Sequence, residues 1–354
     1  MQILDHPAEF SKIDSQGMRA EIDGLPAQLQ AAYRSGLDLP LPEWKDVRQI
    51  LIAGMGGSAI GADLLCAWIQ GTCPVPVFLQ RDYDLPAWAR QPGTLVICSS
   101  HSGNTEETLS VFAQARQANC NLLAISTGGQ LSQFALESGA PLWRFVHAGQ
   151  PRAAVGWSFG LLLAAFSRLG LIPDPQSELM NTVSAMRHQQ ESIGCESPVA
   201  MNPAKRLAGQ LVGRWPVVIG AGILAPVARR WKGQLSEIAK SWAQFEALPE
   251  ADHNSVAGVL YPEGQLSQTM MVFLESPADH PRNNLRAQVT RKVMMLEGLG
   301  TDTYSAPGNS ALANQWTALH FGDYVAYYLA MIYGVDPTPV DAIESLKAEL
   351  KRAD

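Results

Sequence analysis

Short apolar runs alternate with segments of helical periodicity along most of the chain. The first half contains four such runs, at 48–53, 75–79, 94–98 and 121–125. Apolar residues recur every three or four positions in the segments between them, a pattern typical of helices. The predicted helices of this half, after a helical N-terminal region, are 58–69, 105–118 and 152–169. Alternating strands and helices predict a parallel sheet with helices on both faces.

The same plan begins again after residue 170. The stretch LIPDPQSE contains two prolines and no periodicity, which indicates a boundary. Predicted strands follow at 215–220, 269–274 and 301–304. Predicted helices lie at 179–193, 205–212, 222–240, 283–296, 309–333 and 340–350. We therefore predict an α/β protein of two tandem domains, 1–170 and 171–354, each a nucleotide-binding-like parallel sheet flanked by helices.

Each half places a Gly-x-Gly turn directly after an apolar strand. The sequences AGMGGSAIGADLL and IGAGILAPVARRW share little identity, but the equivalent position of the turn indicates a pseudo-duplicated fold. Backbone N–H groups in such a turn can face an anion, although the turn equally fits tight helix packing. A dinucleotide-binding fingerprint needs a third glycine where Ala59 stands, so NAD binding is disfavoured.

Charge and cysteine content exclude several classes of function. A formal net charge of -7 argues against a nucleic-acid-binding surface. The five cysteines form no CxxC pair, which predicts neither a disulfide framework nor a thiolate metal site and fits a reducing cytoplasm. The first residues lack the pattern of a signal peptide, and no apolar run reaches the ~18 residues that span a bilayer. We expect a cytoplasmic protein with neither nucleic acid nor membrane as a partner.

A run of hydroxyl side chains follows the third predicted strand of the first half. The sequence SSHSGNTEET, from residue 99, leads from this strand into a helix. Ser and Thr hydroxyls can bind phosphate oxygens without a net positive charge. Capping of the helix by Asn104 or Thr105 is the structural alternative, but it explains neither Ser100 nor Ser102. The run therefore indicates a site for a phosphate monoester.

Candidates for proton transfer are concentrated in the second half. Glu237 and Lys240 are three residues apart on a predicted helix, a spacing also typical of an exposed ion pair. His253 stands between Asp252 and Asn254, which could orient its ring, although a surface histidine is the alternative. The seven histidines form no HExxH motif or other close pair, so a metal site is not expected.

Several of these motifs together resemble one known family. GMGGSAIG and SSHSGNTEET are similar, in content and in spacing, to the first half of the bifunctional phosphoglucose/phosphomannose isomerases, which have tandem sugar isomerase (SIS) domains. PRAA at 151–154, a Glu-x-x-Lys helix and a following loop that ends in His-Asn match the same family, in which Asn often precedes the glutamate instead of Ser236. The resemblance implies reversible conversion of glucose 6-phosphate and mannose 6-phosphate into fructose 6-phosphate through a cis-enediol, without metal or cofactor.

The resemblance also implies a role for each site residue. The implied contacts to phosphate and sugar are Gly56, Gly57, Ser58, Ser100, Ser102 and Thr105. The implied catalytic residues are Glu237 as the base, His253 and Lys347 in ring opening, and Arg152 beside the enediolate. Relatives form homodimers in which the histidine reaches the neighbouring subunit's site, so we expect a homodimer that uses His253 in this way.

Two alternative functions remain open at this point. A non-catalytic SIS module that senses a sugar phosphate would keep the serine-rich loop but would need no base. The joint presence of Arg152, Glu237, His253 and Lys347 favours an enzyme over such a sensor. An isomerase of another phosphosugar, such as an amino sugar phosphate, would use the same phosphate loop.

Overall fold

The computed structural model describes residues 2–353, which form two compact units. The first-sheet unit consists of 24–187 and 307–317, and the second-sheet unit of 2–23, 188–306 and 318–353. The two domains predicted from the sequence, 1–170 and 171–354, stay a prediction, and their outermost residues lie outside the described part. The units differ from those domains because the N-terminal segment groups with the second sheet, and 171–187 and 307–317 group with the first.

Nine strands form two sheets in the described part of the chain, and every pairing is parallel. The first sheet has the order β2-β1-β3-β4-β5 and the second the order β7-β6-β8-β9. The strands are β1 (Gln49–Ala53), β2 (Val77–Gln80), β3 (Thr94–Ser100), β4 (Asn121–Ser126), β5 (Leu142–Arg144), β6 (Trp215–Ala221), β7 (Gln244–Leu248), β8 (Thr269–Glu275) and β9 (Gly300–Ser305).

Helices connect these strands, as crossovers between parallel strands require. In chain order they are α1 (Met18–Asp23), α2 (Leu25–Asp38), α3 (Gly56–Ile69), α4 (Glu106–Gln117), α5 (Gly129–Ser138), α6 (Val155–Arg168), α7 (Gln176–Ile193), α8 (Pro203–Leu211), α9 (Ala225–Glu237), α10 (Glu263–Leu266), α11 (Pro281–Leu296), α12 (Ala311–Tyr333) and α13 (Asp341–Ala353). The predicted fold class, an α/β protein with two parallel sheets flanked by helices, is confirmed.

The core of the first-sheet unit follows from the continuous apolar strands. Leu51 and Val96 face a cluster that includes Phe112 of α4 and Leu131 of α5. Successive side chains of a strand point to opposite faces, so the fully buried Ile52 faces the other layer. Burial on both faces explains why β1, β3 and β4 are apolar runs without alternation.

The N-terminal segment is fastened to the second-sheet unit by a buried lysine. The Lys205 ammonium is 1% exposed and donates hydrogen bonds to the carbonyls of Leu4 (2.6 Å), Cys195 (2.7 Å) and Ser197 (2.8 Å). Three acceptors match its three N–H donors, which offsets the cost of burying the charge. Together with hydrogen bonds from His320, Tyr324 and Tyr327 of α12, this lysine ties residues 2–23 to the second sheet.

A buried ion pair joins α9 to α12 inside the second-sheet unit. The Arg230 guanidinium donates from Nε (3.1 Å) and Nη2 (2.6 Å) to the two carboxylate oxygens of Asp323. The Gln234 amide donates to the same carboxylate at 2.9 Å. Both charged side chains are 3% exposed. The two-pronged geometry satisfies both charges, and removal of Asp323 would take away the counter-ion of the buried Arg230.

A histidine pair connects two loops at the carboxyl ends of the first sheet. His101 follows β3 and His147 follows β5. The two rings share one hydrogen bond, in which His101 Nε2 lies 2.9 Å from His147 Nδ1. The His101 ring also lies edge-on to Phe145. Burial, with a smaller contribution from the neighbouring His147, lowers the pKa of His101 to about 4. His101 is therefore neutral in the folded protein at neutral pH.

We predict that Asp323→Asn destabilises the protein by about 3–5 kcal/mol, because it leaves the Arg230 charge buried without its counter-ion. The matched control is Glu349→Gln, which removes an exposed ion pair with Arg352 (2.7 Å) and should cost less than about 1 kcal/mol. Urea unfolding of both variants measures the difference. Equal costs would show that the buried pair does not stabilise the unit.

We further predict that His101 makes the protein less stable as the pH falls from 7 to 5. In this range the unfolded chain, with a histidine pKa near 6.5, takes up a proton that folded His101 does not, so stability is lost on acidification. The drop in melting temperature between pH 7 and pH 5 should be smaller in His101→Gln than in the parent. His188→Gln is the control, because His188 is exposed, and an unchanged drop in His101→Gln would contradict the prediction.

Candidate active site

The order of the first sheet opens a crevice at the carboxyl ends of β1 and β3. These strands are neighbours, but the chain leaves β1 towards β2 on one side and leaves β3 towards β4 on the other. Connections that diverge in this way leave a cleft between them, where α/β proteins bind their ligands. The two loops predicted to hold phosphate, 54–58 and 99–105, follow these two strands.

The glycine turn after β1 is open towards this crevice. Gly56 has φ +51°, a left-handed conformation that favours glycine, and it begins α3. A Cβ added at Gly56 would meet no atom within 4 Å. Free space in front of the N-terminus of a 14-residue helix is suited to an anion, because the first N–H groups of the helix have no partner within it.

The serine-rich loop brings its hydroxyls to the same place. Ser100 Oγ lies 2.8 Å from Thr105 Oγ1 and accepts a hydrogen bond from the Gly103 N–H at 3.1 Å. Ser58 Oγ accepts from the His101 N–H at 3.2 Å, which connects this loop to the glycine turn. Thr105 is the N-cap residue of α4, but its side chain makes no capping hydrogen bond. The Asn104 side chain accepts a hydrogen bond from the Gln130 N–H at 3.0 Å and not from α4. The alternative, in which Asn104 or Thr105 only caps this helix, is therefore wrong.

Ser102 differs from these residues in its exposure. Its side chain is exposed, whereas Ser58 and Ser100 are buried. Ser102 Oγ accepts a hydrogen bond from the Asn104 N–H at 3.2 Å, which leaves the hydroxyl proton available to a ligand. Of the hydroxyls in this loop, that of Ser102 is therefore the most accessible to a ligand.

Arg152 lies beside the glycine turn and outside the helix predicted for it. It belongs to a single 3-10 turn, Pro151–Ala153, and α6 begins only at Val155. The side chain is 4% exposed, with Nη1 3.5 Å from Gln150 Oε1. A Cβ added at Gly57 would stand 2.3 Å from the Pro151 carbonyl oxygen. Only glycine permits this approach, which places the Arg152 backbone against the turn.

Glu237 is the last residue of α9 in the second-sheet unit and is half-buried. The helix was predicted to continue to residue 240, but Lys240 has φ +54° and lies beyond its end. Lys240 Nζ donates to the backbone carbonyl of Glu237 at 2.6 Å. The two residues therefore do not share a helix face, because the chain turns sharply after the glutamate.

His253 is an exposed residue that ends the 3-10 helix Glu250–His253. The neighbouring Asp252, expected to orient the ring, instead accepts hydrogen bonds from Arg286 (2.8 Å) and Thr290 (2.6 Å) of α11. These contacts fix the loop to the helix and leave the imidazole at the surface. The Asp252 carboxylate therefore binds α11 and does not orient the His253 ring, contrary to the expectation from the sequence.

Lys347 lies on α13, the C-terminal helix of the second-sheet unit. Its side chain is exposed, and its ammonium is 3.3 Å from the Glu344 carboxylate. An ion pair of this kind between exposed side chains contributes little to stability and leaves the lysine mobile. The local structure is compatible with a lysine that contacts a ligand.

The structure thus gathers one part of the predicted site within one unit. The residues of the first-sheet unit brought around the crevice are Gly56, Gly57, Ser58, Ser100, Ser102, Thr105 and Arg152. Glu237, His253 and Lys347 belong to the second-sheet unit. Sequence reasoning missed the pair of His101 with His147, because nothing in the pattern indicated that the loops after β3 and β5 meet.

Neither a metal-binding cluster nor a membrane-spanning helix is found within residues 2–353. No group of three or more His, Cys, Asp or Glu side chains in this range is arranged to hold a metal ion. No helix in the same range has both the length and the apolar character needed to cross a bilayer.

Comparison with known proteins identifies relatives over nearly the whole chain. Residues 200–350 match the model of the bacterial phospho-glucose isomerase C-terminal SIS domain. A bifunctional phosphoglucose/phosphomannose isomerase of Caldicellulosiruptor bescii is 39% identical over 335 residues, covering 94% of this chain and 98% of the relative. The protein of the same name from Aquifex aeolicus is 34% identical and covers 88% and 95% of the two chains.

A solved structure supports the fold independently of close sequence similarity. A hypothetical protein of Thermus thermophilus superposes with a TM-score of 0.76 at 17% identity, covering 99% of this chain and 94% of that one. The two relatives found by sequence share more than the fold with this chain, because their sequence identity extends across both of its halves. The chain belongs to the bifunctional phosphoglucose/phosphomannose isomerase family.

Proposed function

We propose that this chain interconverts glucose 6-phosphate and mannose 6-phosphate with fructose 6-phosphate through a cis-enediol. The observation that carries the proposal is the crevice between β1 and β3, where the Ser100 and Thr105 hydroxyls meet and the Ser58 hydroxyl binds the backbone of the same loop, at the N-termini of α3 and α4. Hydroxyl donors and two helix dipoles suit a phosphate monoester.

The phosphate site accounts for the choice of substrate class. Ser100, Ser102 and Thr105 donate hydrogen bonds to the phosphate oxygens, and Gly56, Gly57 and Ser58 lie beside the sugar. Hydrogen bonds to a charged acceptor are stronger than those between neutral groups. The binding energy of this part of the substrate, which does not react, positions the carbons that do.

Glu237 is the base in this proposal. Its carboxylate takes the proton from C2 of the open-chain aldose, the C1 carbonyl becomes an enediolate oxygen, and the C1=C2 double bond forms. The proton of the C2 hydroxyl moves to O1, which makes O1 a hydroxyl and O2 the new carbonyl oxygen, and return of the first proton from Glu237 to C1 gives the ketose. Return to either face of C2 in the reverse direction gives glucose or mannose, so one base serves both sugars.

Arg152, His253 and Lys347 complete the chemistry. A guanidinium keeps its proton at any working pH, which suits Arg152 to stabilise the enediolate charge. His253 and Lys347 open the ring by removing the proton from the C1 hydroxyl and supplying one to the ring oxygen. These roles rest on the family to which the chain belongs and on the chemical capacity of each side chain.

We also propose that the protein is a cytoplasmic homodimer in which His253 serves the site of the neighbouring subunit. The exposure of His253 supports this assignment, because the imidazole is accessible to a second chain. The five cysteines, all free, support a reducing compartment. Measurement of the solution mass, by light scattering, tests the dimer.

We expect Glu237→Gln to lower kcat for both sugar phosphates by at least about 100-fold, because an amide cannot accept the proton. The assay follows fructose 6-phosphate formation from each aldose after treatment with a chelator. Glu246→Gln is the control, since Glu246 is also a half-buried glutamate of the second-sheet unit. Full activity of Glu237→Gln would exclude this residue as the base, and turnover of glucose 6-phosphate alone would exclude the dual specificity.

We expect Ser100→Ala to raise KM for both substrates about tenfold, which corresponds to the loss of one hydrogen bond to a charged group. The melting temperature of this variant should rise in sugar phosphate less than that of the parent. Ser138→Ala is the matched control, because the Ser138 hydroxyl donates to carbonyls of its own helix in the same unit. An unchanged KM would remove Ser100 from the phosphate site.

A further inference from the structure

The two sheets carry glycine turns with almost the same backbone conformation. Met55 has φ -125° and ψ 158°, and Ala221, at the equivalent position after β6, has φ -126° and ψ 161°. The next residues, Gly56 and Gly222, have φ +51° and φ +47°. β6 also lies between its neighbours β7 and β8 as β1 lies between β2 and β3. Each sheet therefore has a turn shaped to receive an anion at the point where the strand order reverses.

The space in front of the two turns is different. A Cβ at Gly56 would meet nothing within 4 Å, whereas a Cβ at Gly222 would stand 2.8 Å from Oδ1 of Asp279. Asp279 belongs to the loop after β8, which is the counterpart of the serine-rich loop after β3. Its side chain is 6% exposed. The second turn is thus covered by a carboxyl group of the chain itself.

This carboxyl is held in the manner of a bound anion. The backbone N–H groups of Ser276 and Ile223, one from each loop, stabilise its charged form. Burial works in the opposite direction and raises the pKa of Asp279 to about 7, with a smaller contribution from Glu275. Within residues 2–353, Oδ1 has no hydrogen-bond partner. Burial of this carboxyl costs free energy, and its Oδ1 lies against the glycine turn. The carboxyl therefore fills a place that would suit an oxyanion from solution.

We propose that Asp279 is the built-in occupant of a second anion cradle, formed by the turn at Gly222 and the loop after β8. The cradle has the shape of the first one but is closed to phosphate by the Asp279 carboxyl. Each chain accordingly binds one sugar phosphate, at the first sheet. The identity of that first ligand rests on the proposed function, whereas the occupation of the second cradle rests on the geometry of the second-sheet unit alone.

The test counts phosphate sites in variants that empty the cradle. Asp279→Ser removes the carboxyl and adds a hydroxyl like those of the first cradle, and Asp279→Gly is a second variant that only empties the space. Asp279→Asn keeps the space filled but removes the charge. Isothermal titration of each full-length variant with inorganic phosphate at pH 8 gives the number of sites per chain, and isomerase activity reports that the variant is folded.

The expected result is one more phosphate site per chain in Asp279→Ser than in the parent, and no additional site in Asp279→Asn. An unchanged count in both Asp279→Ser and Asp279→Gly would overturn the proposal. An additional site in Asp279→Asn would also overturn it, since repulsion by the charge, and not occupation of the space, would then exclude phosphate. Because the difference from the parent is measured, a parent that binds no phosphate would contradict the proposed function without affecting this result.

Discussion

The reversal of strand order at β1 is the constraint on which the candidate site depends. The chain leaves β1 and β3 in opposite directions, so the residues directly after these strands face each other across a cleft. Every group of the proposed phosphate site comes from these residues, which lie within a few positions of a strand end. Backbone N–H groups and short hydroxyl side chains are sufficient there, because no long side chain is needed to contact an anion in the cleft. The sheet and not the loops therefore fixes the geometry.

This construction explains how an acidic chain can bind an anionic substrate. The two loops contain no lysine or arginine, and the positive potential in the cleft comes from the ends of α3 and α4. Such a potential is short-ranged, whereas the net charge of -7 acts over the whole surface. A small monoester can enter the cleft, but a long polyanion would meet the repulsion without gaining further contacts. Arg152 adds one fixed charge, held in place because the glycine at position 57 lets the two backbones meet.

The parts of the fold that the sequence predicted are those in which burial leaves an unbroken pattern. β1, β3 and β4 are covered on both faces and appear as apolar runs, while β5 has three residues and β7 is mostly half-buried, so neither stood out. Arg152 was predicted to begin a helix, and the structure forms a separate 3-10 turn there instead. The contact of His101 with His147, and that of Asp279 with Gly222, depends on the order of the strands in each sheet. Pairings between distant positions of this kind leave no local periodicity.

The distribution of the chain between the two units limits how the protein can be divided. It passes from one unit to the other after residues 23, 187, 306 and 317, and α7 and α12 each have residues in both. A single cut cannot yield two complete units, and recombination between relatives at one crossover point between residues 24 and 317 would leave each unit a chimera. Two halves that look like a simple tandem in the sequence must therefore be inherited, expressed and engineered as one piece.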